Sequence, residues 1–147
     1  MPGIIVGTDG SSRSQAAVEW GTREAAIRQV PVTVVIVYQA AVGFWGGKPS
    51  YPEGDELARN AQAIAQEQAD KALSQLGFTC PPTVEVRAVY GIPADELMKA
   101  AGEADMLVVA ARGAGGFARL LLGSVATQLA HHARCPLVIV PEADVHR

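Results

Sequence analysis

Two groups of residues have the types and spacing to do chemistry. The first is Gly113-Ala-Gly-Gly116, which follows the apolar run Met106-Leu-Val-Val-Ala110 and precedes Gly123-Ser124. Backbone N–H groups in such a loop stand clear of side chains. A Gly-Ser pair that opens a helix adds the unsatisfied donors and positive dipole end of that helix, and together they suit an anion, most often a phosphate. The second is Asp9, in the turn Gly7-Thr-Asp-Gly10 after the β-branched run Ile4-Ile-Val6. That string is a turn signal, and a carboxylate in it can cap the helix that follows.

No nucleophile and base accompany these groups. Neither a Ser-His-Asp nor a Cys-His signature is present. His131-His132 falls near the end of a predicted helix, where adjacent side chains diverge and a histidine favours the dipole, so the pair reads as structural. His146 lies in a short polar tail. Cys80 and Cys135 lack CxxC spacing, which fits a reducing compartment better than a disulfide or metal framework.

The elements that must position the glycine loop and Asp9 are legible as an alternation. Of 147 residues, 49% are hydrophobic and 18% charged, enough for a core and too few charges for disorder. Ile4–Val6 reads as the first strand. Ser11, Ser12 and Ser14 offer N-caps to a helix that carries Ala16, Trp20 and Ile27 on one face and ends near Gln29. Val32–Val37 has the near-continuous apolar pattern of a strand buried on both faces. Residues Ala40 to Gly54 read as a long loop whose Phe44, Trp45 and Tyr51 suit a lid or an oligomer contact. Leu57, Ala61, Ile64, Ala65, Ala72 and Leu76 then recur at helical spacing until Gly77.

Val84, Val86 and Ala88 alternate with Glu85 and Arg87, the pattern of a half-exposed edge strand. Pro93 opens a helix that runs to about Gly102. Met106–Ala110 is the fourth strand, about Ser124 to Ala133 the last helix, and Leu137–Val140 the fifth strand. Strands alternating with helices predict an α/β sandwich with a mostly parallel sheet. A single domain over 1–147 is expected, ordered over about 3–141. The net charge of −3 provides no basic field for nucleic acid or an anionic membrane. No apolar run approaches the roughly 20 residues of a membrane helix. The N-terminus lacks the basic region of a signal peptide, so a cytoplasmic location is expected.

Three glycine-rich patterns compete for the loop. The Walker pattern G-x-x-x-x-G-K-[ST] fails, because the only Gly-Lys is Gly47-Lys48, with Val42 at the first glycine and Pro49 at the hydroxyl. Gly113-Ala-Gly115-Gly-Phe-Ala118 formally matches the dinucleotide pattern G-x-G-x-x-[GA]. No Asp or Glu lies between Asp105 and Glu142, however, so the ribose-binding acid expected about 20 residues on is missing. The third string is longer: Ala110-Ala-Arg-Gly113, nine residues, then Gly123-Ser124.

That string resembles the G-x-x-G, nine residues, G-[ST] motif of the universal stress protein family in its ATP-binding branch, with Ala110 at the first glycine. Ile5-Val-Gly-Thr-Asp-Gly-Ser11 is similar to the family's first strand and Asp-Gly-Ser turn, and Gly91-Ile-Pro-Ala94 to its entry into the third helix. Leu121-Leu-Gly-Ser-Val125 and Ala130-His-His-Ala-Arg-Cys-Pro-Leu-Val-Ile-Val140 look like its closing helix and last strand. The resemblance runs from Ile4 to Val140 in order.

The resemblance implies five parallel strands in the order 3-2-1-4-5 with helices on both faces, a Rossmann-like, adenine nucleotide alpha hydrolase-like sheet. Its crevice lies beyond the carboxyl ends of strands 1 and 4. It implies ATP, with Mg2+, as the ligand. Gly7, Asp9 and the main chain at Val37 would surround adenine and ribose. Ala110, Arg112, Gly113, Gly115 and Gly116 would wrap the ribose and phosphates. Gly123, Ser124 and Val125 would offer N–H groups, and Ser124 its hydroxyl, to the outer phosphates. Alternatives stand beside these roles: Ser124 as an ordinary N-cap, Arg112 pointing to solvent, Arg119 on the surface. The methyl group of Ala110 is expected to weaken binding without abolishing it.

The family pairs its last strand with a second copy, which implies a homodimer through Leu137–Val140, an edge too apolar to leave open. The implied function is a nucleotide-dependent regulator or sensor in stress response. Hydrolysis would be slow, since no general base other than Asp9 and no Walker lysine is present. Two alternatives differ in class: a dimeric interaction protein of the same family that does not bind ATP, and a slow nucleotide hydrolase. A flavodoxin-like flavin binder would share the architecture.

Overall fold

Strands buried on both faces of a parallel sheet need uninterrupted apolar residues, and the centre of this sheet has them. The computed structural model describes residues 3–39, 43–45, 48–50, 54–113 and 122–142. In chain order the elements are β1 (Ile4–Thr8), α1 (Ser12–Arg28), β2 (Val32–Tyr38), β3 (Gly43–Trp45), β4 (Lys48–Ser50) and α2 (Gly54–Leu76). There follow β5 (Val84–Tyr90), α3 (Pro93–Ala100), β6 (Met106–Ala110), α4 (Ser124–His132) and β7 (Leu137–Val140). The main sheet runs β5-β2-β1-β6-β7 with every neighbour parallel. This is the expected 3-2-1-4-5 order once the short β3–β4 pair is set aside. Ile4 stands level with Val32 on one side and Met106 on the other, and Ala110 with Val140.

Two cores sandwich the sheet. Ile4, Val6, Val34 and Val108 pack with Ala17, Val18, Ala65 and Ala72 of α1 and α2. Val35, Leu107 and Val109 pack with Leu97 of α3 and with Ala126 and Leu129 of α4 on the other face. β5 alternates as predicted, with Glu85 and Arg87 exposed, and all of β7 is half-buried at the opposite edge. Among the described residues no helix is long and apolar enough to cross a membrane.

Three local expectations change. The buried face of α1 is Ser14, Ala17, Val18, Gly21, Thr22 and Ala25, whereas Ile27 is 69% exposed. Trp20 does pack against the core. Close approach explains the stripe: a β-carbon at Gly21 would run into Val6, and the Thr22 hydroxyl is satisfied by donating to Val18 O at 2.7 Å. In α2, Ile64 is exposed and Gln68 and Ala69 are buried. The segment read as a long loop contains an antiparallel pair, with Trp45 opposite Lys48 across Gly46-Gly47, a two-residue hairpin signal. Tyr51 and the side chains of Phe44 and Trp45 lie outside the described residues, as does the role expected of them.

Candidate nucleotide-binding cleft

β1 and β6 are neighbours, yet the chain leads from β1 toward β2 on one side and from β6 toward β7 on the other. Loops that part in this way leave a crevice beyond the carboxyl ends of the strands. The crevice here is a cleft of about 470 Å³, within the range of small-molecule sites. Val37, Leu97 and Val109 give it an apolar wall, and Asp9, Arg112, Gly113 and Ser124 are among its polar lining. Gly7, Ala110, Gly123 and Val125 also line it, so each predicted contact within the described residues is brought to one place. Gly115, Gly116 and Arg119 lie outside the described residues.

Asp9 is exposed and does its turn work with one oxygen. Oδ1 accepts from Ser11 N at 2.9 Å and from Ser11 Oγ. Oδ2 lies so near Gly113 that a β-carbon there would come within 2.6 Å of it. Ser11, not Asp9, caps α1, accepting from Ser14 N at 3.2 Å.

Beneath this turn sits a buried polar cluster that motif reasoning missed. Thr8 Oγ1 donates to Gln68 Oε1 and lies 2.7 Å from Ser14 Oγ. Gly10 N donates to Thr8 Oγ1, and Gln68 Nε2 donates to Ser11 O at 3.0 Å. Gln68 thus ties α2 to the Thr8 hydroxyl before Asp9 and to the Ser11 carbonyl after it. Its one signal in the sequence is a glutamine in the alanine stripe Ala61, Ala65, Ala69, Ala72.

The other rim is built from backbone. Gly123 is the N-cap of α4 and has no side chain to bond its first-turn donors; Ser124 is the first helical residue, which corrects its reading as the cap. Among the described residues no side-chain hydrogen bond caps this first turn, whose Ser124, Val125 and Ala126 line the cleft with its positive dipole end. Gly123 N donates to Ala111 O at 2.6 Å, joining the start of α4 to the end of β6. A β-carbon at Gly123 would approach Arg112 Cα to 3.3 Å. Ala110 is partly buried against the α1–α2 core, the side of Met106 and Val108, while Val109 belongs to the opposite core. Its methyl group thus has a packing role.

Arg112 does not simply point to solvent. Its Nη2 pairs with Glu142 Oε2, and Arg13 Nε lies 3.5 Å from Glu142 Oε1. Arg13 Nη1 also donates to Gly113 O at 2.7 Å.

Among the described residues no group of three or more His, Cys, Asp or Glu could hold a metal ion. His131 and His132 are both exposed, with ring centroids 6.2 Å apart. Burial pushes the Cys135 thiol above its ordinary range, with backbone hydrogen bonds opposing the shift. A thiol so placed is a poor nucleophile at neutral pH.

Fold and cleft together define an α/β protein with a crevice at the switch point of a doubly wound parallel sheet. The model of the universal stress protein family matches residues 2–141, and the chain belongs to that family. It is 37% identical over 153 aligned positions to universal stress protein Rv2005c of Mycobacterium tuberculosis, an alignment covering 97% of this chain and 48% of the relative. The chain thus spans about half the length of the curated relatives it matches. Among solved structures, UspA of Lactobacillus plantarum superposes with a TM-score of 0.74 at 23% identity, covering 95% of this chain and 97% of that one. A universal stress protein crystallised in complex with cAMP superposes with a TM-score of 0.68 at 27% identity, covering 97% and 98%.

Proposed function

We propose that this chain is an ATP-binding universal stress protein, acting as a nucleotide-dependent regulator or sensor. The observation that carries the reading is convergence. The uncapped start of α4, the Arg112–Gly113 backbone and the Asp9 carboxylate meet around one apolar-walled cleft. Such a cleft suits a ligand with a flat apolar end and an anionic end. The adenine compound named for the similar cAMP complex supports the same ligand class.

In this reading Val37 and Gly7 flank the base and Asp9 accepts from the base amine or a ribose hydroxyl. Ala110, Arg112 and Gly113, with Gly115 and Gly116 beyond them, enclose the ribose and phosphates. Gly123, Ser124 and Val125 hold the outer phosphates. Mg2+ would accompany the phosphate chain, and Asp9 would contact it through its water shell. Asp9 is already tied to Ser11, so the cleft binds and does not turn over rapidly. Regulation follows from occupancy: a ligand that favours one arrangement of the glycine segment shifts the population toward it.

The half-buried residues of β7 support pairing of that edge with a second copy in a homodimer. A cytoplasmic protein with no nucleic-acid or membrane partner fits this role. Displacement of a fluorescent ATP analogue tests the ligand: ATP or another adenine nucleotide should compete, and FMN should not. Competition by none of them favours the interaction protein that does not bind ATP. Light scattering at micromolar concentration tests the dimer, and a monomer mass overturns it.

A further inference from the structure

One carboxylate holds two arginines, of which Arg112 lines the cleft. Glu142, just beyond β7, offers Oε2 to Arg112 Nη2 and Oε1 to Arg13 Nε, the latter at 3.5 Å. Arg13 also donates to Gly113 O, so the same guanidinium grips the start of the glycine segment. Arg112 and Gly113 line the cleft, and Gly123, the cap of α4, packs over the Arg112 backbone. The clasp therefore joins α1, the glycine segment and the chain after β7 at the place where polyphosphate would lie.

A guanidinium recognises carboxylate and phosphate through the same planar fork of donors. The side chain of Glu142 is 44% exposed, while those of Arg13 and Arg112 are 28% and 19% exposed. An exposed carboxylate of this kind binds its partner weakly and is readily replaced.

We propose that Glu142 is an internal competitor for the phosphate chain. Arg112, and Arg13 beside it, exchange this carboxylate for phosphate oxygens when a nucleotide is seated. Glu142 thereby sets a threshold: a ligand gains from the arginines only as far as its own charge outcompetes one carboxylate. The cleft discriminates adenosine, AMP, ADP and ATP through this exchange as well as through direct contacts. The inference rests on the reading of the cleft as an adenine-nucleotide site.

The test is calorimetric titration of wild type and Glu142→Gln with adenosine, AMP, ADP and ATP at low ionic strength. Glutamine keeps the length and an acceptor oxygen but removes the charge. The expected result is a gain in affinity that grows with phosphate number, absent for adenosine and about three- to fivefold for ATP, as suits an exposed ion pair. Added salt should shrink that gain, and Arg112→Gln should remove it. An equal change for all four ligands would reduce Glu142 to a loop brace and overturn the proposal. So would no change for any of them. If both proteins bind none of the four, the reading of the cleft fails and the exchange fails with it. A melting temperature for Glu142→Gln within a few degrees of wild type excludes misfolding as the cause.

Discussion

Asp9 and Gly113, from the ends of two adjacent strands, approach so closely that a β-carbon on residue 113 would stand 2.6 Å from Asp9 Oδ2. The glycine is there to let the carboxylate and the loop share one edge of the cleft. Gly113→Ala must displace either Asp9 or the loop, since real β-carbons do not approach oxygen so closely. We expect nucleotide affinity to fall at least about tenfold, with under about 1 kcal/mol lost in stability, because Asp9 Oδ2 ends an exposed side chain that can swing aside. Titration calorimetry and a denaturant melt check the two numbers.

Gly123→Asp separates binding from stability. Gly123 has extended N-cap geometry with φ of −75°, which aspartate adopts freely and caps well. Its β-carbon needs a few tenths of an ångström from Arg112. The melting temperature should therefore hold or shift by a degree or two. Nucleotide affinity should collapse, because a carboxylate would occupy the first-turn donors and repel phosphate. A variant that binds ATP normally would show that α4 does not face the phosphates.

Gln68→Leu removes one partner from each of two groups. Thr8 Oγ1 loses the Gln68 acceptor but keeps Ser14 Oγ at 2.7 Å, and Ser11 O loses the Gln68 donor but keeps Gln15 N and Ser14 Oγ. The expected cost is about 0.5–1.5 kcal/mol of stability, the net worth of an ordinary hydrogen bond rather than of a stranded group. Affinity for adenosine should also fall, because the turn that carries Asp9 loses its brace. Chemical denaturation and binding measured in parallel separate these effects.

Ala110→Gly tests whether the methyl group weakens binding. Ala110 lines the cleft and also packs against the α1–α2 core. Stability should drop by about 0.5–1 kcal/mol, the general cost of glycine within a strand. ATP affinity should rise severalfold, and an unchanged affinity would show that the methyl group does not crowd the ligand.

How much of this was legible follows from what each feature is made of. The anion-binding loop was readable because its parts are backbone: glycines and a helix start, marked by spacing. The strand order and the place of the crevice came from the family resemblance; the apolar runs marked only an exposed strand, Val84–Tyr90, which alternates, and a buried one, Met106–Ala110, which is continuous. The buried face of α1 was not readable from large residues, because close packing against Val6 selects Gly21, Ala17 and Thr22 instead of Ile27. Gln68 lay hidden because hydrophobic periodicity treats glutamine as surface, although three hydrogen-bonding neighbours make its burial tolerable. The clasp of Arg13, Arg112 and Glu142 joins opposite ends of the chain and leaves no local pattern.

The most direct test of the account is a thermal melt with and without millimolar Mg-ATP, with FMN as the control. A ligand at a hundred times its dissociation constant stabilises by about 2.7 kcal/mol. For a chain of this size that corresponds to a rise of about 5–10 °C. A rise with ATP, absent with FMN and abolished in Gly123→Asp, is the predicted result. A melting temperature unmoved by ATP would contradict the claim that this cleft holds the nucleotide.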